Sequence, residues 1–557
     1  MDSATRTGGR VTRRELLRYA GISGGLLLAA CAAPGATTAP GQGGGQPRRG
    51  GQAVIYINHP DTLNPAISPV STTIYNTPFF YSGLTRPADD YQPLPDLADS
   101  WTVSPDGLVY TFKLRTDVKF HDGTPFTAED VKFTWELYSH PDNLSGRQIA
   151  GFFARIKGAP DFTAGKAPQI EGIKILDPLT VQVTLTSAYA PFLILSGGQA
   201  IMPKAVWKDV PVKQLAAHPA SRKPVGTGPF VLDSWTANES IVARAYEGYH
   251  LGRPYLDRLI SVAAADRTSA FNQLKAGEID VMGLYASVSV DNYEELKSDP
   301  RLEARPVPGL ANQYVEFNFR NSLFQDLRVR KALSYATDRK GLREGIWRGQ
   351  AQHINGPIHP AFWAAKPDTT TFDADPAKAR DLLAEAGWRP GPDGILQRDG
   401  TRMAFKIQSI QTDYDVVLQE QWKKVGVAAE VVRMDFGSFW APLYLAGKTE
   451  AAALNLPFGL YLDPDYPLTG YFHSSLNRNK YQNPKIDSLI GQATATLDRE
   501  KRKQLYWDFQ ETLAQDVPHL WLGVPNEIWG INRKLVVPKK PTGYLTIRSI
   551  KDWYREG

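Results

Sequence analysis

Strand and helix signals alternate along most of this chain, and the alternation sets its fold class. Residues 405–410 (FKIQSI) have the composition of a strand, residues 418–425 form a helical stretch, and VAAEVVR follows as a second strand. Earlier in the chain, Asp375 and Pro376 supply the cap and the first-turn proline of another helix. A repeated strand–helix–strand order is typical of mixed α/β layers, so we predict an α/β fold.

The length of the chain indicates more than one lobe. A chain of 557 residues exceeds the size at which a single hydrophobic core stops growing, so we expect at least two lobes or domains. The net charge is +5, and residues 1–30 supply +3 of it through five arginines set against Asp2 and Glu15. The remaining +2 forms no basic stripe, so no nucleic-acid partner is predicted.

The first thirty residues have the features of an export signal. Paired arginines in TRRELLR (12–18) precede an apolar run at 20–30, which is shorter than the about 20 residues that a membrane-spanning helix needs. The run ends in LAAC, and Cys31 is the only cysteine, so no disulfide framework is possible. The segment resembles a bacterial lipoprotein signal of the twin-arginine type, which implies that Cys31 is lipidated and anchors the mature chain to a membrane. The alternative is an ordinary secretion signal with an incidental cysteine. Residues 31–50, rich in Ala, Gly, Pro and Thr, would form a flexible tether.

Motifs that suggest catalysis or metal binding have structural explanations. His121 and Asp122, in the stretch FHDGTPFTAEDVKFTW, lack a third ligand at metal-site spacing. Asp122 instead suits a turn with the following glycine, and Thr127 suits the N-cap of a helix. Asp463 and Asp465 flank a proline, and we expect them to form a solvated turn rather than a catalytic pair. No catalytic residue, metal site or cofactor is predicted.

Three long blocks of sequence resemble one known family. They are LADSWTVSPDG at 97–107 with the following YTFKLRTDVKFHDGTPFTAEDVKFTW, PVGTGPFVLDSW at 224–235, and FNFRNSLFQDLRVRKALSYATDR at 317–339. In this order they are similar to the family 5 extracellular solute-binding proteins, the peptide- and nickel-binding class that serves ATP-binding-cassette importers. The resemblance extends over nearly the whole mature chain. It implies that the His121 turn is a shared structural feature.

The resemblance implies a two-lobe periplasmic-binding-protein fold with a hinge and an extra subdomain in the first lobe. Solute would lie between the lobes, and a membrane permease would recognise the closed form, which requires no chemical step. We therefore expect a monomeric, extracytoplasmic, lipid-anchored receptor rather than an enzyme. The expected division is an export signal at 1–30, a tether at 31–50, lobe I at 51–285 with the subdomain near 90–195, lobe II at 286–515, and a return to lobe I at 516–557.

The same resemblance places the ligand contacts on two loops. One loop follows the first predicted strand, and the other precedes Asp463. The aromatic residues on the second loop leave open either stacking on a saccharide or another neutral solute, or a purely structural role. The predicted ligand-binding residues are His59, Asp61, Asn455, Phe458, Leu460 and Tyr461.

At position 460 the chain departs from the peptide-binding members that it resembles. Those members have an aspartate that pairs with the amino terminus of the peptide, where this chain has Leu460, and a tryptophan where this chain has Pro457. When an ammonium group enters a closed cleft that lacks its carboxylate partner, the binding free energy becomes less favourable by about 2–5 kcal/mol. We therefore predict an oligopeptide-like or other small solute, with amine-anchored short peptides disfavoured unless Asp61 or Asp463 takes over the role. The alternatives are an oligosaccharide receptor, a receptor that reports solute to a sensor or acts as a folding chaperone, and a secreted hydrolase with an unrecognised site.

Overall fold

The computed structural model describes residues 47–57, 60, 62–67, 71–143, 147–283, 286–410, 412–460 and 462–556. The predicted export signal and the predicted lipidation residue Cys31 lie outside the described residues. Three predicted ligand contacts, His59, Asp61 and Tyr461, also lie outside them.

The strands are short, except for one of fourteen residues near the C-terminus. In chain order they are β1 (Gln52–Tyr56), β2 (Thr85–Pro87), β3 (Pro93–Pro95), β4 (Ala98–Val103), β5 (Val109–Leu114), β6 (Ile173–Asp177), β7 (Thr180–Thr184), β8 (Phe230–Thr236), β9 (Ser240–Ala245), β10 (Arg258–Val262), β11 (Val281–Met282), β12 (Leu302–Pro308), β13 (Asn312–Phe317), β14 (Ala351–Gln352), β15 (Arg389–Pro390), β16 (Leu396–Arg398), β17 (Thr401–Arg402), β18 (Ala404–Ser409), β19 (Ala428–Arg433), β20 (Ala451–Leu456), β21 (His519–Asn532), β22 (Leu535–Val536) and β23 (Tyr554–Arg555).

Helices alternate with these strands. In chain order they are α1 (Ser71–Phe80), α2 (Ala128–Ser139), α3 (Arg147–Ala150), α4 (Ala159–Thr163), α5 (Phe192–Leu195), α6 (Lys204–Trp207), α7 (Arg267–Ala276), α8 (Tyr293–Ser298), α9 (Leu327–Tyr335), α10 (Arg339–Gly345), α11 (Pro376–Glu385), α12 (Asp415–Lys423), α13 (Phe436–Phe439), α14 (Asp465–Phe472), α15 (Pro484–Ala495), α16 (Arg499–Asp516) and α17 (Gly543–Arg548).

Among the described residues, twelve strands form one mixed sheet. Its order is β19-β18-β20-β13-β21-β11-β1-β10-β9-β8, and β12 and β14 also pair with β21. Strand β1 is parallel to β10 and β11, and β18 is parallel to β19 and β20. The long strand β21 pairs with β13 near its start and with β12 and β11 towards its end, so it connects the two halves of the sheet. The predicted α/β class is confirmed.

The predicted strand–helix–strand unit corresponds to β18, α12 and β19. Asp415, the first residue of α12, has a fully buried side chain. Its carboxylate accepts hydrogen bonds from the Ser409 hydroxyl at 2.7 Å and from Nη2 of Arg433 at 2.7 Å. Because Ser409 and Arg433 end the two parallel strands, this one acidic side chain connects all three elements.

The stretch around His121 has the structural role that its sequence indicates. Thr127 is the N-cap of α2, and its N–H donates to the Asp130 carboxylate at 2.9 Å in a capping box. The imidazole of His121 accepts from Gly226 N–H at Nδ1 (3.3 Å), so Nε2–H donates to the Gly228 carbonyl (3.0 Å). Burial lowers the pKa of His121 to about 4, which keeps it neutral in this role. His121 therefore joins two of the sequence blocks that resemble the family.

Helix α2 packs between a small sheet and the segment that follows α5. The sheet has the order β4-β5-β7-β6, and Trp135 of α2 contacts Phe112 of β5 edge to face at 6.5 Å between ring centroids. On its other side, Tyr138 donates to the Ala200 carbonyl at 2.6 Å, and Thr134 donates to the Met202 carbonyl at 3.1 Å. These bonds fix residues 200–202, of which Ala200 lines a cavity.

Candidate functional site

A cavity of about 150 Å³ lies between the end of α1, the residues around α3, the segment after α5, the loop before α14, and α17. Most of its lining side chains are apolar. The described lining residues are Pro65, Thr77, Pro78, Tyr81, Ser82, Gly83, Ile149, Phe152, Ile194, Leu195, Gly198, Gln199, Ala200, Leu460, Leu462, Tyr544 and Arg548.

The glycines of PVGTGPF place the end of α1 at this cavity. A Cβ atom at Gly226 would lie 1.9 Å from the Phe80 carbonyl oxygen, so only glycine fits that contact. The N–H of Gly228 donates to the same carbonyl at 3.0 Å, and the Thr227 hydroxyl accepts from Ser82 N–H at 3.3 Å. The motif therefore fixes the backbone next to the lining residue Ser82.

Leu460 reaches the cavity from the loop after β20. Its side chain is buried in the same cluster as Ile55, Phe80 and Trp553, whose elements lie in the first part of the chain and at its C-terminal end. The neighbouring Gly459 donates its N–H to the Leu310 carbonyl at 2.9 Å, which fixes the loop to the segment between β12 and β13. Leu460 thus lines the cavity from a loop that follows β20, in the second half of the sheet. Most of the other lining residues lie between positions 65 and 200 or in α17.

Arg548 is the last residue of α17, whose start is capped by Thr542. The Thr542 hydroxyl accepts from Leu545 N–H at 3.4 Å and from the Tyr91 hydroxyl at 3.3 Å. From this helix, Nη1 of Arg548 donates to the Tyr544 hydroxyl at 3.1 Å. Burial lowers the pKa of Arg548, but Tyr544 and the Asp96 carboxylate raise it more, so the net pKa lies above its usual value and the side chain is a cation.

The prediction of a solvated turn at Asp463 and Asp465 is wrong. Both side chains are buried. The two carboxylate oxygens of Asp463 each accept a hydrogen bond of 2.6 Å from Arg502 of α16, and the Asp465 carboxylate accepts one from the Thr494 hydroxyl. Burial raises the pKa of Asp465, with the nearby Asp463 charge as a further cause. The sequence could not show the burial because Arg502 and Thr494 come from later helices.

This pairing affects how a ligand amine could be bound. Asp463 is one of the two acids predicted to take over the role of the aspartate that the family resemblance places at position 460. Its bidentate pairing with Arg502 already satisfies both oxygens in a buried setting. Among the described residues that line the cavity, none is acidic.

Two other predicted ligand contacts lie elsewhere. Phe458 is 2% exposed, and its ring packs on Tyr314 at 5.9 Å, Tyr471 at 5.2 Å and Trp521 at 6.1 Å between centroids. In this conformation Phe458 therefore packs in the core, which is the structural role predicted as the alternative to stacking on a saccharide. Asn455 is exposed on β20, opposite Gln313 of β13, and does not line the cavity. Whether either residue contacts ligand stays a prediction.

Sequence reasoning did not identify the polar end of the cavity. Arg548 and Tyr544 lie in TGYLTIR near the C-terminus, where a threonine cap and a short helix were the only local signals. Ile149 lies in α3 and Phe152 follows it, and this helix is too short to give a periodic pattern. Their common position is a result of tertiary packing, so no spacing rule would have grouped them.

The described ranges contain neither a cluster of metal ligands nor a helix that could span a membrane. Within those ranges, no group of three or more His, Cys, Asp or Glu side chains is placed to hold a metal ion. No helix in the same ranges has both the length and the hydropathy that a membrane crossing requires.

The architecture around this cavity defines a class, the two-lobe solute-binding proteins. The structure of NikZ from Campylobacter jejuni in complex with Ni(L-His) superimposes with a TM-score of 0.74 at 29% identity, over 91% of this chain and 99% of that chain. The oligopeptide-binding protein AppA of Bacillus subtilis (strain 168) is 28% identical over 538 residues, 93% of each chain. The heme-binding protein A of Haemophilus influenzae is 29% identical over 453 residues, 78% of this chain and 79% of its own.

The family follows from the middle of the chain. Residues 92–479 match the family described as "Bacterial extracellular solute-binding proteins, family 5 Middle". The chain therefore belongs to the family 5 bacterial extracellular solute-binding proteins, as its sequence blocks predicted. The relatives are named as binding proteins, which agrees at the family level with the prediction that the chain is not an enzyme.

Proposed function

We propose that this protein is the extracytoplasmic receptor of an ATP-binding-cassette importer and delivers an oligopeptide-like or other small solute to its permease. One observation carries the proposal: the cavity is lined by Leu460 and Leu462, which follow β20 in the second half of the sheet, and by residues from positions 65 to 200 and from α17. A solute in this position contacts both halves at once. It therefore stabilises the closed arrangement more than an open one, as capture by closure requires.

The hinge of this proposal is formed by the strands that cross between the halves of the sheet. Strands β12 and β13 lead from one half to the other, and β21 returns between them. We place lobe I at 51–285 with the subdomain near 90–195, lobe II at 286–515 and the return at 516–557. Rotation about a few residues where these strands cross would open the cavity, in the manner of a hinge motion.

The proposed location of the protein depends on its N-terminus. We propose that Cys31 is lipidated after export by a twin-arginine signal and that residues 31–50 tether a monomeric receptor to the cell membrane. Two acyl chains would be sufficient for stable anchoring without a spanning helix. Radiolabelled palmitate incorporation that is lost in Cys31→Ser would support the anchor, and retained incorporation would contradict it.

Short peptides that bind through a free amino terminus are not among the proposed solutes. Leu460 lines the cavity where an acid would be needed, and Asp463 is committed to Arg502. An unpaired ammonium group in such a site makes the binding free energy less favourable by about 2–5 kcal/mol, which weakens the affinity by roughly 30-fold or more. The relatives described above are named for an oligopeptide, heme and a nickel–histidine complex, and they do not support the oligosaccharide alternative.

Native mass spectrometry of the gently purified full-length protein is the first test. We expect a co-purified small solute, and we expect that adding the same solute at 100 times its dissociation constant stabilises the fold by about 2.7 kcal/mol. Depletion of the solute without product formation would separate the receptor from a hydrolase. A protein that binds no solute from its native extract and converts one chemically would contradict the proposal.

The Leu460→Asp variant tests the peptide argument separately. We expect this variant to bind an unblocked dipeptide at least about 10-fold more tightly than the unchanged protein does, because it restores a carboxylate partner. The matched control is the same dipeptide with an acetylated amino terminus, whose affinity should not rise. If the unchanged protein already binds unblocked dipeptides tightly, the predicted exclusion is wrong.

A further inference from the structure

Arg548 is the one formally charged side chain among the described residues that line the cavity. The other polar lining groups are hydroxyls and the amide of Gln199, and the remaining surface is mostly aliphatic or aromatic. A single cation in such a setting determines which end of a solute can face it, because small-molecule sites use a few polar groups to fix orientation.

The hydrogen bonds of Arg548 differ from those of buried structural arginines in the same protein. Arg502 makes hydrogen bonds to the carbonyl of Ala493, both oxygens of Asp463 and the hydroxyl of Tyr506. Arg339 likewise uses its guanidinium on the Trp521, Ser334 and Phe372 carbonyls and on a serine hydroxyl. Each of these two side chains makes four hydrogen bonds with groups of the fold.

Arg548 instead makes one hydrogen bond with a described residue, to the Tyr544 hydroxyl at 3.1 Å. No carboxylate of the described residues lies within ion-pair distance of it. The nearby Asp96 contributes a favourable field, but its carboxylate is bound to His250 Nε2 at 2.6 Å. A guanidinium has five N–H donors in a planar fork that matches a carboxylate. Most of these N–H donors therefore make no hydrogen bond with a described residue and can bind a solute.

The apolar part of the cavity limits the size of that partner. Leu460, Leu462, Ile149, Phe152 and Leu195 are among the apolar residues that line this cavity of about 150 Å³. An apolar cavity of roughly 150 Å³ accommodates a benzene-sized group. The lining offers one positive charge, which suits a monoanion better than a dianion such as a phosphate monoester.

We propose that the solute is a small organic monocarboxylate, with its carboxylate on Arg548 and a benzene-sized apolar body against Leu460 and Phe152. This inference rests on the proposed function and names the solute class for the same cavity. It also gives the leucine at position 460 a role, because an apolar body replaces the amine that an aspartate would bind.

Calorimetric titration with three matched probes tests this inference. Phenylacetate has the carboxylate and the ring, phenylacetamide replaces the charge by a neutral amide, and phenylglycine adds an ammonium group to phenylacetate. We expect phenylacetate to bind at least about 10-fold more tightly than either of the others, because only phenylacetate matches both the cation and the absence of an acid.

Variants of the full-length protein assign the effect to one side chain. In Arg548→Gln we expect phenylacetate binding to weaken by about 30-fold or more, while phenylacetamide binding changes little. Arg548→Lys, which keeps the charge, should retain a preference for phenylacetate over the amide. The control is Lys551→Gln, which removes an equal charge three residues away in a neighbouring groove that Arg548 also borders. It should leave the preference intact.

The possible outcomes separate this inference from the proposed function. Two results would overturn the inference of a monocarboxylate solute: equal binding of phenylacetate and phenylacetamide, or unchanged phenylacetate binding in a folded Arg548→Gln variant. Neither result would contradict the proposed function as a solute receptor. Absence of phenylacetate binding at millimolar concentration, in a preparation that still binds its co-purified solute, would overturn it as well. If the protein binds no solute at all, including those present in its native extract, the result would count against the proposed function itself.

Discussion

Gly459 fixes the position of Leu460 through a contact that leaves no room for a side chain. A Cβ atom there would lie 2.8 Å from Cδ2 of His359 and 3.1 Å from the Leu310 carbonyl oxygen. Either the imidazole or the loop would have to move, and a shift of the loop would carry Leu460 with it. The absence of a side chain at this position is thus part of how the cavity wall is built.

We therefore predict that Gly459→Ala lowers the free energy of unfolding by about 1–3 kcal/mol, as overpacking does, and weakens solute binding. Urea unfolding and calorimetric titration would measure the two effects. Gly470→Ala is the matched control, because nothing lies within 4 Å of a Cβ at that position in α14. Unchanged unfolding and binding in Gly459→Ala would show that the loop can relax without cost.

His359 beneath this loop gives the protein a predictable response to acid. It is fully buried, its Nδ1 accepts from Ala361 N–H at 3.1 Å, and its Nε2–H donates to the Gly309 carbonyl at 2.6 Å. Burial lowers its pKa to about 4, so the folded protein holds the neutral imidazole. The folded-state pKa is lower than the unfolded value of about 6.5. The stabilising contribution is therefore complete above that value and is lost as the pH falls towards 4.

We predict that the free energy of unfolding decreases between pH 6.5 and pH 4 and that His359→Asn removes about 2–3 kcal/mol of this decrease. Asparagine keeps an acceptor near the Nδ1 position but does not titrate. Denaturation curves at closely spaced pH values would measure the slope. His121 has the same direction of shift and should account for part of what remains. A variant with the same slope as the unchanged protein would show that His359 is not responsible.

At the scale of elements, two of the ion pairs that α16 makes differ in burial. Its Arg502 is paired with the buried Asp463 before α14, whereas its Arg499 is paired at 2.9 Å with Asp90, whose side chain is 55% exposed. Removing one partner of a buried pair leaves an uncompensated charge, while an exposed pair is screened by water. The two pairs should therefore differ strongly in their contribution to stability.

We predict that Asp463→Asn destabilises the fold by about 3–5 kcal/mol, whereas Asp90→Asn costs less than about 1 kcal/mol. The second variant is a control, because it makes the same chemical change in the partner of another arginine on α16. Thermal and urea unfolding in low and high salt would compare them, with salt reducing only the smaller effect. Similar losses for the two variants would mean that burial does not separate these pairs.

At the scale of the whole molecule, residues 152–190 make contacts with the later helices α14 and α15. The N–H of Ala190 donates to the Thr494 carbonyl at 2.8 Å, and the ring of Phe152 lies 4.8 Å from that of Tyr466. These contacts involve segments that are far apart in sequence, so they would separate if the halves of the sheet rotated apart. Solute that fills the cavity would shift the population towards the closed form.

We predict that the radius of gyration from small-angle X-ray scattering falls when phenylacetate or the co-purified solute is added to solute-free protein. The Arg548→Gln variant should not contract with phenylacetate at the same concentration but should still contract with any solute that it binds. A radius that is independent of solute would indicate that binding occurs without closure.

The sequence by itself determined the α/β class, the family and the local roles of short motifs. Periodicity, caps and turn residues act between neighbours in the chain, so β18, α12 and β19 and the His121 turn could be predicted from the residues themselves. The resemblance to the family, rather than any local pattern, led to the prediction that Leu460 stands where the peptide binders have an aspartate.

Only the tertiary structure decided the chemistry of the cavity. Leu460, Phe152 and Arg548 come from three distant segments, and no local pattern records that they face one space. The burial of Asp463 likewise depends on Arg502 of a later helix. Long-range packing brings such groups together and sets their solvation and charge. The sequence therefore predicted which amine partner is missing, and the fold decided that a guanidinium stands in the cavity instead.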